Sequence, residues 1–267
     1  PFQMPIGAQQ EFIGVVDVLN PPKEIPHQVA SEVQSARERL LEAVAETDDA
    51  LATKYLEGED LTNAEILAAA QKAILNREIV PIFVGSATSS IGIEELLDAM
   101  AKFLPTPSQV TQVEAKGSTS GQPEKIKPDP EGPLTAFVFK TTADPFVGKL
   151  SFFRVYRGTF RSNFEVWNAP KGQAERVGQI YFPRGKTQEN TQEVGPGDIA
   201  AVAKLGATLT GDTLCHREHQ VIFEPVAFPM GHYTMAVNPK SSADLDKLSM
   251  ALSRIVEEDP SLRIVRE

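Results

Sequence analysis

The fold is decided by residues 134–156, which read LTAFVFKTTADPFVGKLSFFRVY. Two runs rich in valine, phenylalanine and tyrosine flank a turn with aspartate and proline, which is typical of two paired strands. Runs of this kind lie at 134–140, 149–156, 164–167, 174–182 and 199–204. Turns with glycine and proline separate them, and no helical pattern falls between them. The pattern predicts a small antiparallel β-barrel or sandwich.

The residues before this block predict helices. Over 27–46, apolar residues recur at steps of three and four, which makes one apolar face of a helix. A second helix is predicted over 63–75, because Thr62 and Glu65 have the spacing of a capping box.

An apolar run at 79–84 predicts a strand that is covered on both faces and ends at Gly85. A third helix is predicted over 93–104, since the sequence continues with Pro105. Its inward side chains are expected to be Leu96, Leu97 and Met100. Strand, loop and helix in this order form an α/β unit, whose ligand sites lie beyond the carboxyl end of the strand.

The composition excludes several classes of protein. Of 267 residues, 41% are hydrophobic and 23% are charged, so the chain is expected to fold. The net charge is −10, which argues against wholesale wrapping of nucleic acid. The charge is uneven: −10 over 1–130, +2 over 131–223 and −2 over 224–267. Local contact with phosphates therefore stays possible in the middle block.

A single cysteine, Cys215, excludes an intramolecular disulfide and favours a reducing, cytoplasmic location. The longest apolar run has six residues, far fewer than the ~20 of a membrane span. No signal peptide pattern opens the chain. Because the first residue is Pro1, we expect a piece of a longer protein.

Prolines and glycines cluster between the helical and the strand-rich parts, and this stretch is predicted to be a linker. After the strand-rich part, predicted strands at 234–237 and 262–265 flank an amphipathic helix over 242–258. We expect that helix to dock on the strand-rich domain or on a second copy of the chain. The predicted parts are 1–107, a linker at 108–132, a β-domain at 133–223 and the truncated start of a third domain at 224–267.

One cluster has the character of a metal site, Cys215-His216-x-x-His219. Structural zinc normally has four ligands, and the sequence shows no second pair, so a polar loop is the preferred interpretation. A cysteine nucleophile would need an oriented base, for which the sequence gives no sign. No catalytic residue and no metal ligand is predicted.

Short strings in a fixed order run along nearly the whole chain. They are Pro5-Ile6-Gly7-Ala8, Arg37-Glu38-Arg39-Leu40, Ile82-Phe83-Val84-Gly85-Ser86-Ala87, Ala143-Asp144-Pro145-Phe146, Thr210-Gly211-Asp212-Thr213 and Glu257-Glu258-Asp259-Pro260. Their number and order make the chain resemble the central portion of bacterial elongation factor G, a translational GTPase. A short connection after Asp17 is a departure from that family and suggests a divergent paralogue.

The resemblance implies a multidomain fold of α/β plus all-β class. In order, it implies the C-terminal part of a P-loop GTPase domain with a helical insertion, an antiparallel β-barrel of translation-factor type, and the truncated start of a ferredoxin-like α+β domain. It also implies a function: the parent protein is expected to bind the ribosome and promote GTP-dependent translocation of tRNA and mRNA.

For the nucleotide, the resemblance assigns only Gly85, Ser86 and Ala87, because small residues let the backbone approach a flat base. The pattern alone reads as an ordinary turn at a strand end. The sequence has no G-x-x-x-x-G-K-[ST] phosphate loop and no Asn-Lys-x-Asp motif. GTP or GDP with magnesium is therefore expected in the full-length parent, and neither nucleotide binding nor GTPase activity in this fragment.

The resemblance also implies partners, namely small-subunit ribosomal RNA and ribosomal stalk proteins, with no membrane and no DNA. The residues proposed to contact RNA phosphates are Lys140, Lys149, Arg154, Arg157 and Arg176. Further cations of the same block are Arg161, Lys171, Arg184 and Lys186. An acidic helical surface is expected to meet a stalk protein through Glu38, Glu42, Glu46, Asp48 and Asp49, unless it is simply a solvated face.

Four aromatic residues of this block could stack on bases, but such residues more often fill a core. They are Phe152, Phe153, Tyr156 and Trp167. Other functions stay open: a stand-alone RNA- or ribosome-binding module, a paralogue that acts in ribosome recycling or protection, and a small-molecule enzyme with an unfamiliar site.

Overall fold

The structure is a computed structural model that describes residues 1–109, 113–144, 147–185 and 187–265. Pro145 and Phe146 of the quoted strings, and the candidate cation Lys186, lie outside the described residues. The chain divides into two compact units, Pro1–Pro105 and Thr106–Glu267, which we call the helical unit and the sheet unit.

The helical unit begins with an antiparallel hairpin of β1 (Gln3–Ile6) and β2 (Gly14–Asp17), with a 3₁₀ turn at Gln9–Glu11 between them. Its helices are α1 (Ala30–Ala45), α2 (Asp49–Leu56), α3 (Asn63–Leu75) and α4 (Ile93–Phe103). The helices and the hairpin share one apolar core that contains Phe2, Leu40 and Phe103.

The predicted helix ends follow from side-chain capping. Thr62 Oγ1 accepts a hydrogen bond from the Glu65 amide at 3.3 Å, and Glu65 Oε2 accepts one from the Thr62 amide at 3.0 Å, which confirms the capping box. Hydrogen bonds from Lys54 and Thr62 lower the pKa of Glu65 to about 2. The sequence analysis did not predict α2, although Asp48 caps it by accepting from the Ala50 and Leu51 amides.

The predicted strand at 79–84 is wrong. This segment has no ladder partner among the described residues of its unit. The Phe2 amide donates to Ile82 O at 2.9 Å, and the Val84 amide donates to Gln3 Oε1 at 3.3 Å. The Phe83 ring also packs on Phe2, with 5.8 Å between the ring centroids. Val80 is 81% exposed and Ile82 is 57% exposed, so the run is not covered on both faces. A strand needs neighbouring strands to satisfy its backbone, and the hairpin provides contact at single points.

The predicted inward face of α4 is also wrong in part. The helix buries Ala99 and Phe103, and Leu97 and Met100 are exposed. The buried pair lies four residues apart, which places both on one side of the helix. Phe103 packs edge-on against Phe2, with 5.3 Å between the ring centroids. The aromatic contact therefore sets which side of α4 faces the core.

The sheet unit contains thirteen of the strands in the described residues. They are β3 (Val113–Gly117), β4 (Pro123–Ile126), β5 (Thr135–Asp144), β6 (Gly148–Arg157), β7 (Phe160–Arg161), β8 (Glu165–Asn168), β9 (Gln173–Arg176), β10 (Ile180–Arg184), β11 (Thr187–Thr191), β12 (Glu193–Val194), β13 (Ile199–Ala203), β14 (Thr213–Cys215) and β15 (Val221–Ile222). After a 3₁₀ turn at Ser242–Asp244, helix α5 spans Leu245–Glu258.

Eight of these strands form one antiparallel sheet in the order β11-β10-β13-β6-β5-β14-β8-β9. The sheet surrounds a single core to which strands near both of its ends contribute, with Ile180 from β10 and Val166 from β8. Phe153 and Phe160 lie at its centre, with 4.1 Å between their ring centroids. The predicted antiparallel β-structure is therefore confirmed.

The stretch predicted as a linker holds β3 and β4. With β15 they form a three-stranded antiparallel sheet, which we call the small sheet. Its apolar side chains, among them Ala115, Ile126 and Phe223, pack on the outer side of the large sheet. Prolines and glycines recur in this stretch, and a few alternating apolar residues are enough to order it because they are buried. The domain boundaries proposed from sequence stay predictions.

The predicted strands at 234–237 and 262–265 are wrong, since both segments are irregular. The helix between them is present as α5, which contacts the end of β5. There Glu258 accepts from the Ala143 amide, and Lys149 Nζ lies 3.8 Å from Glu257 Oε2. Of the two outcomes expected for this helix, docking on the β-domain is the one observed.

Candidate functional site

The loop proposed to contact nucleotide, Gly85–Ala87, joins the extended segment to α4. The Ser86 amide donates to Ile91 O at 2.8 Å, and Ser86 Oγ accepts from the Ser89 amide at 3.3 Å. Gly92 has φ +75°, and a Cβ there would lie 2.5 Å from Val84 O. The loop is thus held by its own hydrogen bonds and by a close backbone crossing that requires glycine.

The chemistry of this loop is limited. Gly85 and Ala87 are exposed, so their backbone is open to a flat ligand. The loop has no cation and no glycine-rich turn that could bind phosphates, and the sequence has no phosphate loop elsewhere. Contact with a base is therefore the most that these three residues can supply.

Two of the proposed RNA-binding cations lie on the outer side of the large sheet. Lys140 of β5 pairs with Phe152 of β6, and its Nζ lies 5.7 Å from the centre of that ring. Arg154 lies two residues further along β6, so it shares this side. Its guanidinium is 5.4 Å from the centre of the Tyr156 ring. We call Lys140, Phe152, Arg154 and Tyr156 the outer basic face.

The positive charges of this face have no carboxylate partner in the part of the chain that the structure describes. Among the described residues, neither Lys140 nor Arg154 forms an ion pair with a carboxylate. Arg154 Nε is buried and has no hydrogen-bond partner among those residues. A cation over an aromatic ring keeps its charge while the ring restricts its position. The outer basic face can therefore present fixed positive charge to phosphate oxygens.

The other proposed cations differ in their surroundings. Arg157 is 13% exposed, and it donates from Nε to Pro133 O at 3.1 Å and from Nη1 to Glu124 Oε1 at 3.0 Å. Lys149 faces Glu257 and donates to Gly206 O at 3.4 Å. Both side chains are engaged inside the sheet unit, which leaves little of them for a ligand.

The remaining cations lie apart from the outer basic face. Arg176 is exposed on β9, an edge strand of the sheet, and Lys171 is exposed before it. Arg161 Nε lies 3.5 Å from Glu193 Oε2, and Arg184 Nη1 lies 3.3 Å from Glu189 Oε1. The structure thus brings two of the five leading candidates into one cluster, namely Lys140 and Arg154.

The aromatic residues divide between core and surface. Phe153 fills the core, as expected for all four. Phe152 lies on the outer side, Tyr156 packs 4.7 Å from Phe223, and the Trp167 ring lies 5.1 Å below the Arg217 guanidinium. Alternation along β6 is the signal that separates them, because residues two apart share a side.

The cysteine and histidine cluster is part of the framework. Cys215 is fully buried, its Sγ donates to Trp167 O at 3.6 Å, and burial raises the pKa of its thiol. His219 Nε2 lies 2.8 Å from Glu124 Oε1. In the part of the chain that the structure describes, no three histidine, cysteine, aspartate or glutamate side chains are placed to hold a metal ion.

Sequence reasoning missed a buried polar network beside β14, where Asn168 pairs with Leu214. Asn168 donates to Thr208 Oγ1 at 3.0 Å and to Asp212 Oδ2 at 2.9 Å, and the Leu209 amide donates to the same Asp212 oxygen at 2.9 Å. Glu175 accepts from Thr208 Oγ1. The sequence gives no sign that these polar residues are buried, because only the folded sheet covers them.

Two family models and a solved structure match parts or all of this chain. Residues 133–217 match the family model of elongation factor G domain 2, and residues 228–267 match that of elongation factor G domain III. The two matches point to a translation elongation factor-like protein. A crystal structure of a Thermus thermophilus protein is similar over 100% of this chain, with 28% sequence identity and a TM-score of 0.79. This chain spans 39% of the length of that protein.

In an elongation factor-like framework, the outer basic face belongs to the part that matches domain 2. Glu257 and Glu258, which hold α5 on the sheet, belong to the part that matches domain III. Among the described residues, no helix combines the length and the apolar character that crossing a bilayer requires.

Proposed function

We propose that this chain is the central portion of a ribosome-dependent GTPase of elongation factor G type, which promotes translocation of tRNA and mRNA in the bacterial cytoplasm. The observation that carries this proposal is the order of two family matches, domain 2 followed directly by domain III. A shared fold alone does not fix a function. Matches to two consecutive domains of one factor, in the order that factor has them, support the proposal.

Within that function, the outer basic face contacts small-subunit ribosomal RNA. Lys140 and Arg154 neutralise backbone phosphates, and this contact positions the protein without reading sequence. The negative net charge of the whole chain favours such a local contact over general binding of nucleic acid. The acidic surface of α1 and α2 is suited to a basic stalk protein, since five carboxylates lie between Glu38 and Asp49.

The nucleotide belongs to other residues of the parent. GTP or GDP with Mg²⁺ needs a phosphate loop, a magnesium ligand and a guanine-reading motif, and the residues present here do not fit that need. The Gly85–Ala87 loop would contribute backbone contact to the base. We expect calorimetry to detect no GTP binding and no hydrolysis by this chain; micromolar affinity would contradict this part of the proposal.

The ribosomal contact is tested by co-sedimentation of the chain with small ribosomal subunits over a series of salt concentrations. Lys140→Ala and Arg154→Ala should each weaken binding several-fold and reduce the slope of log K against log salt by about 1. The matched control is Lys125→Ala, which removes an exposed cation from β4 in the same unit. Equal affinity of all three variants and the unaltered chain would contradict the proposal.

A second binding experiment distinguishes a translation factor from a stand-alone RNA-binding module. The same chain is titrated with naked single-stranded RNA of mixed sequence. Preference for small subunits over this RNA is expected for a translation factor. Equal binding to both, lost together in Lys140→Ala and Arg154→Ala, would favour the RNA-binding module instead.

A further inference from the structure

The junction between the small sheet and the large sheet contains a cluster of charged side chains outside the outer basic face. Glu124 lies on β4, Arg157 ends β6, and His219 lies in the turn after β14. Glu124 Oε1 is 3.0 Å from Arg157 Nη1 and 2.8 Å from His219 Nε2, and Glu124 Oε2 is 3.1 Å from the same nitrogen. One carboxylate thus binds a cation and a titratable ring from two other elements.

The cluster is built into the surrounding backbone. A Cβ at Gly132 would lie 2.8 Å from Arg157 Cγ, so glycine is needed beside the arginine stem. Arg157 also donates to Pro133 O, and its buried Nη2 has no further partner among the described residues. Since an arginine stays charged at all physiological pH values, removal of Glu124 would leave a nearly buried charge without its counter-ion.

Histidine is the side chain that changes charge between about pH 5 and pH 8. With a neutral ring, His219 supplies one hydrogen bond to Glu124, and with a protonated ring it supplies a charge-assisted one. Glu124 stays ionised through this range: burial raises its pKa, but hydrogen bonds from His219 and Arg157 outweigh burial and hold the pKa below the usual value of 4.5.

We propose that Glu124, Arg157 and His219 form a pH-sensitive clamp that holds the small sheet on the large sheet, tighter when His219 is protonated. Ionised Glu124 stabilises the contact between the two sheets above its usual titration range, and this stabilisation is lost as the pH falls through its lowered pKa. Protonation of the His219 ring adds a charge to its contact with Glu124 Oε1 and Oε2, so the clamp tightens as the ring gains a proton. The clamp is therefore tightest at mildly acidic pH.

Other charged groups near His219 set the size of this effect. They are Arg217 and Glu218 on its own turn, and Glu131, Arg161 and His216 along the adjoining cleft. His216 acts in the opposite direction, because its Nδ1 accepts from the Glu218 amide at 3.3 Å and a protonated ring would lose that bond. The sign of the pH dependence therefore distinguishes the two histidines.

The test is hydrogen exchange of β3 and β4 amides at pH values from about 5.5 to about 8, corrected for intrinsic rates. In the unaltered chain, protection should fall by about 3- to 5-fold across this range, a modest change because both side chains are about one-third exposed. His219→Gln keeps a neutral donor and should abolish this fall. A fall of equal size in His219→Gln would overturn the proposal, and so would a rise of protection with pH in the unaltered chain.

Two further variants test whether the pH dependence comes from the cluster of Glu124, Arg157 and His219. Glu224→Gln removes the Lys116–Glu224 ion pair, which also joins β3 to the chain after β15 but is well solvated and has no histidine. It should leave the pH dependence unchanged, and loss of the dependence in this control would contradict the clamp. Glu124→Gln should lower protection at every pH, provided that the fluorescence of Trp167 shows that the large sheet is intact.

Discussion

The helical unit and the sheet unit both contain short apolar runs, and these runs have different outcomes. The run at 79–84 in the helical unit leaves Val80 and Ile82 exposed. In the sheet unit, Val138 and Phe153 on neighbouring strands are completely buried. The difference lies in the backbone: β5 and β6 have ladder partners on both sides, and the run at 79–84 has none among the described residues of its unit. Apolar composition leads to burial only where the backbone is also satisfied.

The largest effect should come from the centre of the sheet unit. Phe153→Ala should lower the free energy of unfolding by about 3–5 kcal/mol, because it removes a fully buried ring and leaves a cavity beside Phe160. Urea unfolding followed by the fluorescence of Trp167, the single tryptophan, measures this loss. Phe152→Ala is the matched control, and it should cost clearly less since Phe152 lies half-buried on the outer side.

A smaller loss is expected from the buried polar network. Asp212→Ala should cost about 2 kcal/mol, because the Asn168 amide group and the Leu209 amide each lose an acceptor inside the fold. The same fluorescence assay measures it. Asp198→Ala, at an exposed position of the same unit, should change stability by less than about 0.5 kcal/mol. Equal losses in both variants would show that the network contributes nothing beyond surface charge.

The sequence predicted best where one local rule decides the structure. The capping box at Thr62 and the apolar face of α1 depend on neighbours along the chain, and both were found as expected. The antiparallel strands of the large sheet followed from alternation and turns. The run at 79–84 was misjudged because its outcome depends on distant backbone partners, which composition does not reveal.

In the candidate site, too, features set by neighbours along the chain were predictable and features set by distant partners were not. Lys140 and Arg154 were among the predicted cations, but the sequence could not separate them from Arg157, which a carboxylate 33 residues earlier engages. Glu124 carried no local signal, because its role arises only when β4 packs beside the end of β6. Long-range pairing therefore decides which charges are engaged within the fold and which stay available to a ligand.

In the helical unit, loss of the capping residue of α3 should have a moderate effect on stability. Thr62→Ala should cost about 1 kcal/mol, since the Glu65 amide loses its acceptor at the start of α3. Unfolding followed by circular dichroism at the helical band measures the loss. Thr53→Ala serves as the comparison: its hydroxyl only bonds back to Asp49 O within α2, so its removal should be neutral or slightly stabilising.

The smallest effect is expected in the run that the sequence marked as a buried strand. Val80→Ala should change stability by less than about 0.5 kcal/mol, as is usual for a surface substitution. The reason is that the Val80 side chain is 81% exposed. The helical circular dichroism signal during urea unfolding reports this change. A loss of about 1–2 kcal/mol, the size expected for a buried valine, would mean that this side chain is covered in solution, and the contrast between the two units would then be weaker than the structure indicates.

The burial of Cys215 allows the opening rate of the large sheet to be measured. The thiol is buried on β14, and the chain has no other cysteine, so a maleimide reagent has a single target and reaches it only when β14 separates from its neighbours. The labelling rate therefore counts opening events without any introduced probe. Each variant of the sheet unit can be ranked by how often its interior is exposed, as well as by how much free energy it has lost.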